Sequence, residues 1–166
     1  IARFRRNDRA AAAVEFALIL PLLLLLFLGT IEASSLITVD RRVNVISSTV
    51  GDLVSRWDPE SGAISSAELT DYFRASEGII YPYSTVGLTQ VVSVVEVAND
   101  GTATVDWSCG YNGGTPRGDD SAYDLPPHMN ELARGGWIVA SETRYPYTPV
   151  LGMVFTEDIN LYQESF

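Results

Sequence analysis

The stretch AAAAVEFALILPLLLLLFLG, from Ala10 to Gly29, decides the fold of this chain, because it is apolar throughout except for Glu15. A helix that crosses a bilayer needs about 20 apolar residues, and residues 10–28 supply 19 positions. Pro21 lies inside the stretch, but membrane helices tolerate proline through local adjustment of the backbone. We therefore predict a single transmembrane helix over residues 10–30.

The charges on either side of this stretch predict its orientation. The first nine residues carry four arginines, Arg3, Arg5, Arg6 and Arg9. By the positive-inside rule, this cluster places residues 1–9 in the cytoplasm as a basic leader. Two arginines at 41 and 42 weaken that bias without reversing it. The C-terminal part is then expected outside the cytoplasm, and we predict a single-pass membrane protein.

A cleaved signal peptide is the alternative for the same segment. Its basic region would be the arginine cluster and its apolar core would run over residues 16–28. The following residues, GTIEASS, lack a clean small-x-small cleavage signal, because Ile31 lies three residues before the best cut. A retained membrane helix is therefore the preferred interpretation.

Composition excludes several classes of partner for the rest of the chain. Past Ala33 the sequence holds seven arginines and eighteen acidic residues, a net charge of −11. Such a domain repels nucleic acid and anionic membrane surfaces, so we exclude both as its partners. Cys109 is the only cysteine, so the sequence predicts no intrachain disulfide and no multi-cysteine metal site. A lone thiol of this kind is typical of a buried small residue.

Beyond the apolar stretch, apolar residues recur at alternating spacings of three and four. This heptad pattern keeps one stripe of a helix against a partner. We predict one helix from Ala10 to Trp57, 48 residues or roughly 72 Å long, which ends because Pro59 disfavours helical geometry at Asp58. Residues 31–58 form its amphipathic extension, and the stripe packs on the chain's own domain, on neighbouring subunits, or on both. Its members are Leu36, Val39, Val43, Ile46, Val50, Leu53 and Trp57.

Residues 59–166 have the pattern of a small α+β domain. Ser65 and Glu68 have the spacing of a capping box that opens a short helix. Valine-rich Leu88–Val97, the turn at residues 99–101 and the alternating TATVDW predict a β-hairpin. A long loop follows at residues 109–127, then a helical turn or two over residues 126–134, and strands over residues 137–149 and 158–166. The predicted fold is thus a long N-terminal helix packed on a small antiparallel sheet.

The N-terminal segment RRNDRAAAAVEFALILPLLLLLFLGTIEASSL resembles TadE-like minor pilins, or pseudopilins, of the tight-adherence (Tad) pilus. The shared features are a basic leader, small residues, the acid in VEFA, the Leu-Pro pair before a leucine run, and then Gly29 and Glu32. The later segment YPYTP, at residues 145–149, is also similar to the family. The close likeness covers about 35 residues.

The resemblance implies a role in pilus biogenesis or adhesion, with the chain in a bacterial inner membrane and its C-terminal domain periplasmic or extracellular. A prepilin peptidase would cut between Ala10 and Ala11, so that Glu15 becomes the fifth residue of the mature chain. The new α-amine of one subunit would then neutralise Glu15 of the next. Implied partners are membrane lipid and other membrane or pilus subunits, which contact the N-terminal helix. The family has glycine before the cut and this chain has Ala10, so the alternative is an uncleaved, single-span accessory or scaffold subunit of a larger inner-membrane complex.

No other pattern indicates an enzyme, a cofactor or a small-molecule substrate. His128 is the only histidine, which excludes a multi-histidine metal site. Asp119, Asp120 and Asp124 do not have the spacing of an EF-hand loop, and we interpret residues 119–124 as a solvated acidic loop. The glycines at 110, 113 and 114 lack the lysine and long helix of a phosphate-binding loop. We predict no catalytic residue, no cofactor site and no metal site.

Overall fold

A computed structural model describes residues 8–57, 64–153 and 155–166 of the chain. Its first helix, α1, is Asp8–Ser55, with Pro21 inside it. A single long helix over this stretch is confirmed, but it ends at Ser55, two residues earlier than predicted. It closes with a tightened turn, in which the N–H of Trp57 donates to the carbonyl oxygen of Val54 at 3.2 Å. The predicted stop at Asp58 and Pro59 lies outside the described residues.

The second helix, α2, is Ser66–Ile80, and it begins at the predicted capping box. The Ser65 hydroxyl accepts the N–H of Glu68, and the Glu68 carboxylate accepts the N–H of Ser65 at 2.9 Å. These two bonds satisfy backbone donors that a helix N-terminus otherwise leaves free. Hydrogen bonding to Ser65 also lowers the pKa of the Glu68 carboxyl.

Four strands form one antiparallel sheet, as the sequence predicted. They are β1 (Thr89–Val97), β2 (Ala103–Tyr111), β3 (Gly136–Tyr147) and β4 (Ile159–Ser165), and their order in the sheet is β2-β1-β3-β4. A short helix α3, Pro127–Leu132, precedes β3. The predicted loop at residues 109–127 begins too early, because β2 continues through Cys109 to Tyr111 while paired with β1.

Two apolar clusters hold these elements together. The first joins α1 and α2 to the sheet, and its buried members are Val50, Val54, Leu69, Phe73 and Val92. The second joins the sheet to the segment before α3, and its buried members are Val95, Val97, Ala103, Val105, Tyr123, Leu125 and Ala140. In both clusters the sheet buries an apolar face, against the helices in the first and against the segment before α3 in the second.

The loop between β2 and α3 has two buried anchors that the sequence pattern did not reveal. The N–H of Tyr123 donates to the carbonyl oxygen of Ala103 at 2.9 Å, and Tyr123 and Leu125 are both buried. Paired backbone groups therefore hold this irregular segment along β2. Its glycine and proline content indicated a loop but could not show which of its apolar residues enter the core.

The described residues divide into two compact units. The first contains the helical residues as far as Ile37, together with Thr148–Asp158. The second contains Thr38–Tyr147 and Ile159–Phe166, and so includes α2, α3 and the sheet. The assignment of residues 10–30 to the membrane and of residues 59–166 to an external domain stays a prediction.

Candidate membrane and subunit-interface site

The N-terminal part of α1 exposes an unbroken apolar surface. Every residue from Ala11 to Phe27 is exposed, including leucines and phenylalanines that water solvates poorly. The helix is long and apolar enough to cross a membrane, and it is the one such helix in the described part of the chain. This surface fits a single-pass membrane anchor, because a spanning helix satisfies its own backbone groups and presents apolar side chains to lipid.

Glu15 places a carboxylate in this apolar surface. Its side chain is exposed, and no ion pair to it is formed by the residues whose side chains the structure describes. Ala10 and Ala11, the predicted cleavage pair, lie in the first turn of the same helix. A carboxylate five residues into an apolar span calls for a positive partner, because an ionised acid in hydrocarbon costs several kcal/mol, about 2.5–3.5 on insertion scales.

Glu32 has a different role from that of Glu15, and the sequence argument missed it. Its side chain is buried, with 1% of its surface exposed. The carboxylate accepts the N–H of Met153 at 3.2 Å and the N–H of Phe155 at 3.4 Å. Glu32 thereby ties the segment between β3 and β4 to α1. The available signal was an acid that closely follows the apolar stretch, but its partners lie more than a hundred residues away in the sequence.

The heptad stripe on α1 meets other parts of this same chain. Val39, Val43, Ile46 and Val50 have no exposed surface, while Leu36, Leu53 and Trp57 are half-buried. Polar contacts flank the stripe, since the Ser47 hydroxyl donates to the carbonyl oxygen of Ser141. The Gln163 amide also donates to the Asp40 carboxylate at 2.8 Å. Packing of the stripe on neighbouring subunits stays a prediction, for which the half-buried members are the available positions.

An ion pair and two tyrosines link the β2–α3 segment to strands β3 and β4. Nε of Arg117 donates to Oε1 of Glu142 at 2.7 Å, and the hydroxyl of Tyr162 donates to Oε2 at 3.1 Å. The hydroxyl of Tyr123 donates to Glu164, and the Arg117 guanidinium lies 4.3 Å from the centre of the Tyr123 ring. Burial is the main cause that raises the pKa of both tyrosines. The bond to Glu142 raises the pKa of Arg117. Because these groups satisfy one another, the cluster fastens the segment.

The other residues considered for chemistry do not come together. Asp119, Asp120, Asp124 and His128 are exposed, and no group of three potential metal ligands occurs among the described residues. Cys109 is half-buried rather than buried. It lines an apolar cavity of about 900 Å³, whose walls also include Phe73, Trp107 and Trp137. This lining offers few groups for acid–base chemistry.

Comparison with known protein families gives a match, and it falls on α1. Residues 10–48 match the family described as TadE-like protein. The matched range lies within α1 and includes the predicted cleavage pair, Glu15 and Glu32. No curated protein and no solved structure matches the chain. Over residues 10–48 the chain is therefore similar to TadE-like proteins.

Proposed function

We propose that this chain is a structural subunit, a minor pilin or pseudopilin, that helps to assemble a Tad-type pilus at the bacterial inner membrane. The observation that carries the proposal is Glu15, an exposed carboxylate near the start of an apolar helix that matches the TadE-like family. Acids inside a membrane segment are costly and are usually paired and functional. A subunit that supplies the missing positive charge gives Glu15 a physical reason to be there.

The positive charge comes from processing of the leader. A cut between Ala10 and Ala11 leaves an α-amine on Ala11, four residues before Glu15. Within one helix, Ala11 and Glu15 lie about one turn apart. The proposed pair instead joins two subunits, since the Ala11 amine of one subunit neutralises the Glu15 carboxylate of the next. In a medium of low dielectric constant, opposite charges attract far more strongly than in water. Each pair therefore fixes the axial position of one subunit against the next.

Orientation follows from the flanking charges. The arginines at positions 3 to 9 stay in the cytoplasm by the positive-inside rule, and the sheet domain lies in the periplasm or beyond. In this arrangement α1 supplies the membrane and subunit contacts, and the sheet domain buries the outer half of the helix. The proposal assigns the chain no catalytic step, and its partners are lipid and other membrane or pilus subunits.

Replacement of Glu15 in the bacterium that makes this protein tests the proposal. We expect Glu15→Ala to leave the chain in the membrane at normal abundance and to abolish its incorporation into sheared filaments. Glu131→Ala, which removes an exposed acid on α3, is the matched control and should assemble normally. Normal filaments with Glu15→Ala would overturn the proposal, whereas loss of the protein from the membrane would show that Glu15 acts in insertion.

One observation favours a second candidate function. The position before the proposed cut is Ala10 where the family has glycine, and an uncleaved chain would be an accessory or scaffold subunit of an inner-membrane complex. Ala10→Leu separates the two functions, because a bulky residue before the cut blocks a peptidase that requires a small one. A processed pilin should lose assembly and Ala10→Gly should keep it. An accessory subunit should function normally with either substitution.

A further inference from the structure

The segment of residues 148–153 is bonded to α1 at one position along the helix axis, that of Glu32. Glu32 accepts the N–H groups of Met153 and Phe155, and both groups belong to the compact unit that contains the helix as far as Ile37. Glu32 is buried in that unit. The position of Glu32 along the helix axis therefore sets the level at which Met153 and Phe155 lie beside the helix.

In the proposed anchor, where residues 11–28 span the hydrocarbon, Glu32 lies just beyond the edge of that span. The unbroken run of exposed residues ends at Phe27, and Glu32 lies four residues past Leu28, or about 6 Å further along the helix axis. The headgroup layer on each side of the hydrocarbon is about 5–7 Å thick. Glu32 is thus at the level of the headgroups when residues 11–28 span the hydrocarbon, and the segment bonded to it lies at the same level.

The side chains of this segment suit lipid. Val150 and Met153 each expose 64% of their surface, and Leu151 exposes 41%. No residue from Thr148 to Thr156 is charged, although acids outnumber arginines in the rest of the chain beyond α1. Neighbouring exposed apolar side chains are a signature of a contact surface. An uncharged segment also avoids the repulsion that the acidic domain would meet at an anionic surface.

We propose that residues 148–153 form a second membrane contact, in which Val150, Leu151 and Met153 enter the outer interfacial layer of the bilayer that α1 crosses. The segment is bonded to α1 close to where the exposed apolar surface of the spanning helix ends, and this position favours lipid as its occupant over a second copy of the chain. Glu32 acts as the tether, since its carboxylate holds the backbone of the segment against α1. The inference rests on the membrane anchorage in the proposed function.

Depth-dependent quenching tests the contact in the full chain. An environment-sensitive dye is attached to Leu151→Cys in a Cys109→Ser background, and the protein is reconstituted in phosphatidylcholine vesicles with lipid brominated either close to the headgroup or near the end of the acyl chains. Ile19→Cys, in the middle of the exposed apolar stretch, reports through the chain-end bromines whether α1 is in the bilayer. Val45→Cys is the matched aqueous control, because this exposed valine lies 17 residues, or about 26 Å, past Leu28 on the same helix.

We expect brominated lipid to quench the dye at Leu151→Cys severalfold more than the dye at Val45→Cys. If the dye at Ile19→Cys is quenched and the dye at Leu151→Cys behaves like that at Val45→Cys, the second contact is overturned and the anchor stands. If the dye at Leu151→Cys is shielded from water yet not quenched by lipid, protein covers the segment and the inference is also overturned. An unquenched dye at Ile19→Cys would instead overturn the membrane anchor itself.

A substitution of Glu32 tests its role as the tether separately. Glu32→Ala removes the acceptor for Met153 and Phe155, so the quenching at Leu151→Cys should fall severalfold while that at Ile19→Cys persists. Unchanged quenching in Glu32→Ala would show that Glu32 does not hold the segment at the bilayer.

Discussion

Gly51 of α1 lies directly against Ser141 of the inner strand β3. A Cβ atom placed on Gly51 would come within 3.3 Å of the Cβ of Ser141, and one turn earlier Ser47 donates to the carbonyl oxygen of Ser141. The small side chains at these positions let the helix approach the sheet closely. The C-terminal part of α1, from Thr38 onward, is therefore an integral part of the sheet domain, and its sequence is constrained by β3 as well as by the heptad stripe.

Enlarging Gly51 should separate α1 from the sheet. We predict that Gly51→Val lowers the free energy of unfolding by about 1–3 kcal/mol, the usual cost of overpacking a filled core. Gly78→Ala in α2 is the control, since a Cβ there meets nothing within 4 Å and alanine in a helix gains roughly 0.5–1 kcal/mol over glycine. Denaturant unfolding in detergent, followed by tryptophan fluorescence, measures both. Equal stability of Gly51→Val and the wild type would contradict the close approach.

Phe73 is the largest fully buried side chain of the first apolar cluster. It exposes 1% of its surface and stacks on Tyr111 with 5.1 Å between the ring centres. Phe73→Ala should therefore cost about 3–5 kcal/mol of unfolding free energy, as is typical for phenylalanine in a core. Val86→Ala, at a residue that is 80% exposed, should change it by less than about 0.5 kcal/mol. A small loss at Phe73 would mean that α2 is not held on the sheet as described.

Removal of Arg117, whose partner Glu142 is buried, should lower the free energy of unfolding more than removal of an arginine from a surface ion pair. Glu142 has an 8% exposed side chain, and Arg117→Met leaves its carboxylate with the Tyr162 hydroxyl. Arg117 is itself partly exposed, so we predict a moderate loss of about 1–3 kcal/mol of unfolding free energy. Arg74→Met breaks a 3.8 Å pair between two exposed side chains and should cost less than about 0.5 kcal/mol. Matching losses in the two variants would contradict a structural role for the cluster.

The same cluster predicts a loss of stability in alkali. The pKa values of Tyr123 and Tyr162 are raised above the usual 10.0 in the folded chain, so the folded state holds these protons more tightly than the unfolded state. Their contribution is complete below pH 10 and decreases as the pH rises above it. Tyr123→Phe should make the decline above pH 10 less steep. Unfolding curves at several pH values measure the slope, and an unchanged slope would contradict the burial of the Tyr123 hydroxyl.

Local sequence patterns sufficed to predict the elements of the fold. The apolar stretch, the capping box at Ser65 and the alternation before Trp107 each depend on neighbours within a few residues, and the structure confirms the elements that they predicted. The end of α1 was less accurate, because the apolar stripe continues to Trp57, two residues past the last α-helical residue, Ser55. Strand order was not predictable, since it depends on pairings such as β1 with β3 that no local pattern encodes.

The long-range contacts of the candidate site could not be predicted from the sequence. Glu15 was found because a charge in an apolar stretch is visible locally. Glu32 was noted only as a shared feature of the family, since its partners at residues 153 and 155 are remote in the sequence. The pairing of Arg117 with Glu142 escaped for the same reason. Among eleven arginines and twenty-one acids, composition cannot single out the pair that the fold brings together.

The mature N-terminus tests the proposed function most directly. Intact mass measurement and terminal sequencing should be applied to the protein in filaments sheared from the bacterium that makes it, and to the protein in its membrane. We predict that the chain in filaments begins at Ala11, with Glu15 as its fifth residue. A filament-associated chain that still carries the arginines at positions 3 to 9 would contradict the pairing of Glu15 with a new α-amine.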